Sequence, residues 1–191
     1  MKKPLIIVLL LVSVVLLGKG GWIYAKAELA QFLIADAWAQ QHGGAGHSRP
    51  WPWADTWPVA RLQVPELGVD QFVLEGASGR VLAFGPGHVS GTVFPGKAGN
   101  SVISGHRDTH FRWLKDLQSG DRILLEGFDG KRVTYRVRSA RVVSEKDTWI
   151  LGDQQETLLH LVTCYPFDAV MPGGAQRYVV TATPESSSVA F

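Results

Sequence analysis

One thiol and six histidines are the groups in this 191-residue chain best suited to nucleophilic chemistry. The thiol is Cys164, within Thr157-Leu-Leu-His-Leu-Val-Thr-Cys-Tyr-Pro-Phe167. The apolar run Leu158 to Val162 reads as a buried strand, and Pro166 ends it because proline cannot donate to a strand ladder. A thiol at such a strand end is held rigidly while facing a groove, as a catalytic nucleophile must be. A free cysteine can equally be a small buried hydrophobe. A reactive cysteine needs a proton partner, and histidine titrates in the useful range. His106 mirrors the thiol by position, since it ends the apolar run Ser101 to Ser104 and opens into a polar loop. Gly105 beside it signals a close backbone approach. His160 lies four residues before the thiol and fits either core packing or groove lining. His88 falls in the loop Gly85-Pro-Gly-His88, and His42 and His47 fall in a breaker-rich linker where solvation is expected. His106, Asp108 and His110 could also meet a metal. A spacing of two suits a strand, however, while Asp108-Thr109 suggests a turn, so no metal is expected.

These residues must be positioned by a small domain. Hydrophobic residues make up 46% of the chain, enough for a core. Lys+Arg is 19 and Asp+Glu is 17, so the net charge of +2 gives no footprint for nucleic acid. With one cysteine there is no internal disulfide, and no cofactor is expected.

From Ala60 onward the pattern is short strands and turns. Leu62-Gln-Val64, Phe72-Val-Leu74, Ser101 to Ser104, Ile123 to Glu126, Val133 to Val142, the cysteine strand and Arg177 to Ala182 read as strands. Asp129-Gly130 signals a two-residue hairpin turn. Val133, Tyr135 and Val137 alternate with Thr134, Arg136 and Arg138, the period of a half-buried strand. Phe111 to Leu117 reads as one or two helical turns. Close strand spacing with few helices predicts an all-β barrel or sandwich.

Ahead of this domain, Lys2 and Lys3 precede an apolar run from Pro4 to Leu17, with Trp22 and Tyr24 beyond it. Pro4 to Tyr24 is expected to cross a membrane as a retained anchor over residues 1–24. A cleaved signal with its site near Ala25-Lys-Ala27 is the rival. Ala25 to Gln41 reads as a further helix with a modest apolar stripe, able to lift the domain off the membrane or pack against it. His42 to Pro58, dense in glycine and proline, carries Trp51, Trp53 and Trp57 and reads as an extended wrap docked on the domain. Its aromatic faces could also bind sugars or lipid headgroups. Residues 25–59 thus form helix and linker, 60–183 the barrel, and 184–191 a polar tail.

Gly99-Asn-Ser-Val-Ile-Ser-Gly-His106-Arg-Asp-Thr-His-Phe111, then Leu161-Val-Thr-Cys164-Tyr-Pro-Phe167, then Arg177-Tyr-Val-Val180 resemble a sortase. Leu62-Gln-Val-Pro-Glu-Leu-Gly-Val69 is similar to that family's first strand and turn. The helix ending Leu33-Ile-Ala-Asp-Ala-Trp38 resembles the single sortases of proteobacteria. One departure is His160, where many sortases carry threonine. The resemblance implies a closed barrel on a single-pass inner-membrane anchor, with the domain on the outer, periplasmic side. It implies a cysteine transpeptidase acting on a protein with a Leu-Pro-x-Thr-like C-terminal sorting signal and on an amine acceptor. Cys164 would form the thioacyl enzyme. His106 would serve the leaving and incoming amines. Arg177 would stabilise the oxyanion. Thr163, His88 and His160 are candidates for substrate or oxyanion binding. A cysteine peptidase hydrolysing the same acyl-enzyme, or an envelope binding module using the tryptophans, are the alternatives.

Overall fold

Eight strands close into a barrel in a computed structural model that describes residues 2–41, 46–152, 156–169, 171 and 173–185. They are β1 (Pro58–Val64), β2 (Val69–Glu75), β3 (Gly87–His88), β4 (Asn100–Ser104), β5 (Arg122–Gly127), β6 (Arg132–Ser144), β7 (Leu158–Tyr165) and β8 (Gln176–Pro184). Around the barrel the order is β1-β2-β3-β4-β7-β8-β6-β5. Two pairings are parallel, β2 with β3 and β4 with β7. Closure leaves no open sheet edge to template aggregation.

Alternation builds the core. Ile103, Leu125, Tyr135, Leu159, Leu161 and Val180 send every second side chain inward, where each is fully buried. The short 3-10 helix Arg112–Asp116 caps this core with Leu114, next to buried Phe111.

Three expectations are corrected. Gly87-His88, read as loop, is a two-residue strand. A Cβ on Gly87 would sit 2.1 Å from the Gly76 carbonyl oxygen, so only glycine permits this approach. The β5–β6 turn is longer than two residues, because Gly127 N–H still donates to Lys131 C=O at 2.9 Å. Phe128, Asp129 and Gly130 form the loop, and Gly130 takes the left-handed conformation (φ 75°) that such three-residue loops require. The two expected N-terminal helices are one, α1 (Lys2–Gln40). Among the described residues no helix is long and apolar enough to cross a membrane.

The second half of α1 packs on the barrel through Ala30, Ile34, Ala37 and Trp38, which helical spacing puts on one buried face. Gln41 Nε2 donates to Pro58 C=O at 3.0 Å and ties the helix end to β1. Of the linker tryptophans expected to dock, Trp57 packs partly buried against the core and Trp51 meets Phe84 edge-on at 5.0 Å, whereas Trp53 is 82% exposed. His42 and residues 186–191 of the tail lie outside the described residues.

Candidate active site

Strand register assembles the site. β4 and β7 run parallel with Ser104 beside Val162, so the chain leaving β4 continues alongside Thr163 and Cys164. Two hydrogen bonds prolong the match. Gly105 N–H donates to Val162 C=O at 3.1 Å, and Thr163 Oγ1–H donates to Gly105 C=O at 2.7 Å. His106 therefore leaves the sheet beside the thiol strand. On the other flank β8 is antiparallel to β7, with Arg177 directly opposite Cys164. Such partners stand about 4.5–5.5 Å apart at Cβ. The thiol is thus bracketed by a histidine loop and an arginine, three positions far apart in sequence.

Gly105 has a physical requirement. A Cβ there would lie 2.7 Å from the buried Phe111 ring, so any larger residue would displace the turn carrying His106. His106 is exposed, while Cys164 and Arg177 are half-buried. The Arg177 guanidinium donates to Gly174 C=O at 2.7 Å, to Gln176 C=O at 2.9 Å and to Glu145 at 3.0 Å. It rests on the rim of the site, held by Glu145 of the β6–β7 connection and by the Gly174 and Gln176 carbonyls at the start of β8.

The outer face of the sheet forms a groove. Val102, Ile150, Val162 and Val179 make an apolar cluster separate from the barrel interior. Val102, Ile150 and Val162 floor a cavity of about 210 Å³, walled by Glu145, Thr148 and Leu151, with Ser104 and Arg177 at its polar end. Cys164 shares the outward parity of Val162. An apolar side chain followed by a peptide carbonyl would find complementary surfaces here.

The other candidates go elsewhere. His160 faces outward but is fully buried: Nδ1 is 3.0 Å from Thr181 Oγ1, Trp149 packs edge-on at 5.4 Å, and Nε2 has no hydrogen-bond partner among the described residues. Burial pushes its pKa down to about 4, so the ring is neutral at physiological pH. It underlies the groove wall rather than lining the groove. Thr163 points to the opposite face of β7 from the thiol, and its hydroxyl is committed to Gly105. That arrangement fits a positioning residue, not an oxyanion donor. His88 is buried and fully engaged, with Nδ1 2.9 Å from Glu75, Nε2 3.1 Å from Val93 C=O, and its ring stacked on Phe94. The structure does not bring it to the thiol. Among the described residues no cluster could hold a metal ion.

Sequence reasoning missed Arg107. Its side chain is only 2% exposed and is paired with Asp108 at 3.0 Å. It donates to Pro166 C=O at 2.6 Å, Ala169 C=O at 3.0 Å and Met171 C=O at 3.4 Å. One residue past His106, it clamps the loop that begins two residues past Cys164. A buried guanidinium is stable only with such acceptors around it. The sequence offers no signal for this beyond the Arg-Asp dipeptide.

The sortase domain family matches residues 62–185. Sortase D of Bacillus subtilis is 36% identical over 121 residues, covering 62% of this chain and 60% of that protein. Sortase SrtE1 of Streptomyces coelicolor is 34% identical over 126 residues, covering 61% of this chain and 34% of that one. The chain thus spans less than two thirds of the length of these relatives. A Sortase D5 transpeptidase of Clostridium perfringens superposes with a TM-score of 0.59 at 30% identity, over 68% of this chain and 79% of that one.

Proposed function

The chain belongs to the sortase family, and from that premise we propose that it is a cysteine transpeptidase acting on a protein sorting signal. The observation that carries this reading is the register around Cys164, with the His106 loop on one flank and Arg177 on the other. An unperturbed cysteine is only a few per cent thiolate at neutral pH, so a nearby cation helps it react. In our reading the thiolate attacks the carbonyl of a Leu-Pro-x-Thr-like signal whose apolar residues occupy the Val102–Val162–Ile150 groove. Arg177 swings from Glu145 to the oxyanion, His106 protonates the departing amine, and a thioacyl enzyme remains. An amine acceptor then resolves it, with His106 taking its proton. Thr163 and Arg107 hold the backbone of both flanks. No metal or cofactor enters these steps.

Membrane attachment through α1 belongs to the same proposal. Its support is the apolar run after Lys2 and Lys3, in which Leu11, Val14, Leu16 and Leu17 are 62–76% exposed. A single-pass anchor in the inner membrane, with the barrel on the outer side, would cover them. Intact mass of membrane-extracted protein tests retention, and a mature N-terminus near Glu28 would overturn it. Assignment to the single sortases of proteobacteria rests only on the helix ending Leu33 to Trp38, since the relatives above come from other groups. The decisive test of the activity is Cys164→Ala. Loss of both thioacyl enzyme and product, with an unchanged circular dichroism spectrum, is expected. Normal turnover by this variant would end the reading.

A further inference from the structure

Ser104 lines the groove, but His106, two residues on, lines a different cavity. This second cleft holds about 740 Å³ and shares no lining residue with the groove. One wall is α1, through Lys26, Ala27, Glu28 and Gln31. The other includes His106 and His110. Gln31 Nε2 donates to Phe84 C=O at 2.7 Å, which fixes the helix wall to the barrel wall. Burial, and to a lesser extent the neighbouring His106, keep His110 below the usual histidine range, while a hydrogen bond to the Ala83 backbone opposes the shift. A neutral His110 does not repel an incoming cation. Lys26 and Glu28 give the helix wall one charge of each sign, and the Lys26 ammonium also stands 5.4 Å from the Trp22 ring centroid.

A transpeptidase needs two substrates to meet one carbonyl from different sides, with a proton-transfer group reaching both. His106 lines this cleft, and Ser104, two residues before it, lines the groove. We infer that the cleft is the acceptor site, and that it takes a primary amine whose carrier also bears an anionic group. The amine faces Glu28 and His106, and the anion faces Lys26. The inference rests on the transpeptidase reading. The ammonium first releases one proton to solvent. The free amine nitrogen then attacks the thioester carbonyl, and its N–H proton passes to His106. The C–N bond forms as the C–S bond breaks. Cys164 leaves as thiolate and recovers a proton from the imidazolium, so the products are an amide and the free enzyme.

The test forms the thioacyl enzyme of the full chain with a Leu-Pro-x-Thr peptide and measures the ratio of amide to hydrolysis product. Two amines are compared in parallel, 6-aminohexanoate and its neutral carboxamide. The ratio counts only molecules that acylated, so misfolded variants do not distort it. The native enzyme is expected to favour 6-aminohexanoate by about threefold, the scale of one exposed ion pair, and Lys26→Gln to erase that preference. Glu28→Gln should lower the ratio about threefold for both amines. Ala27→Trp should lower it about tenfold by filling the cleft at an exposed helix position, a loss of about 1.4 kcal/mol. Equal capture of the two amines by the native enzyme overturns the acceptor site. So do native ratios in both Glu28→Gln and Ala27→Trp, or hydrolysis of the thioester with no capture of either amine. Failure of any thioacyl enzyme to form would instead overturn the transpeptidase reading, and the cleft with it.

Discussion

Along β7, Leu159, Leu161 and Thr163 face the barrel interior at 0%, 0% and 2% exposure, while His160, Val162 and Cys164 face outward. Outward burial relaxes toward the strand end, from 0% at His160 through 9% at Val162 to a half-open Cys164. The inner face is uniform packing. The outer face is graded, from a covered histidine to a reactive end. Chemistry and stability therefore share one strand without sharing side chains, because successive residues of a strand point to opposite faces. A substitution on one face should leave the other's property nearly intact.

The strongest challenge to that division comes from the exposed histidine of the loop beside the outer face. His106→Ala should lower kcat/KM by roughly 10²–10⁴-fold, the usual worth of general acid–base help, with no change in melting temperature. A loss under about fivefold would remove His106 from the chemistry. Leu161→Ala tests the inner face. It should cost about 2–5 kcal/mol in urea unfolding, as a buried leucine truncation does, while the folded fraction keeps its rate within about threefold. A large drop in the rate of folded molecules would show that the two faces are coupled.

His160 sits on the boundary, since it faces outward but is buried. Its ring titrates near about 6.5 in the unfolded chain and near about 4 when folded. The unfolded state therefore binds the proton first as pH falls. The stabilising contribution is complete above about pH 6.5, is lost as pH falls toward 4, and amounts to roughly 3 kcal/mol at most. His160→Gln should flatten this part of the stability profile between pH 7 and 4. An unchanged slope would mean that the ring is protonated without opening the Trp149 cover. The smallest expected effect separates charge from geometry at Arg177. Lysine keeps the charge but not the planar fork, so Arg177→Lys should lose about 10²-fold in kcat/KM if the fork holds an oxyanion. Its thiol should still alkylate with iodoacetamide along the native pH profile. Near-normal peptide turnover by the lysine variant would remove the oxyanion role.

Much of this was legible locally. Alternation in β6 and the apolar run before Cys164 predicted strands because burial on one face imposes a period of two. Gly105 was readable as a close approach, and Phe111 is what it approaches. The motifs around His106, Cys164 and Arg177 pointed to sortases before any coordinates. Other features were hidden. His88 looked like an available loop histidine, yet Glu75 and Phe94, from other parts of the barrel, enclose it. Arg107 carried no sequence signal of its own, and only the loop folding over it turns three carbonyls toward its guanidinium. The two parts of α1 were legible as an apolar run and an apolar stripe, but only the structure shows that Ile34 and Trp38 are buried while Leu11, Val14, Leu16 and Leu17 are exposed.

By itself, the sequence determined the strand periods, the turns that glycine and proline demand, the single thiol, and the placing of histidine and cysteine at strand ends. The tertiary structure alone decided that β4 lies parallel to β7 and β8 antiparallel to it, which brings residues 106, 164 and 177 together. The physical reason is that periodicity within a strand fixes which side chains share a face, but not which distant strand pairs with it or in what register. That choice comes from closing the barrel around one core. The same closure buries Arg107, withdraws His88 and keeps the groove beside Ser104 separate from the cleft lined by His106.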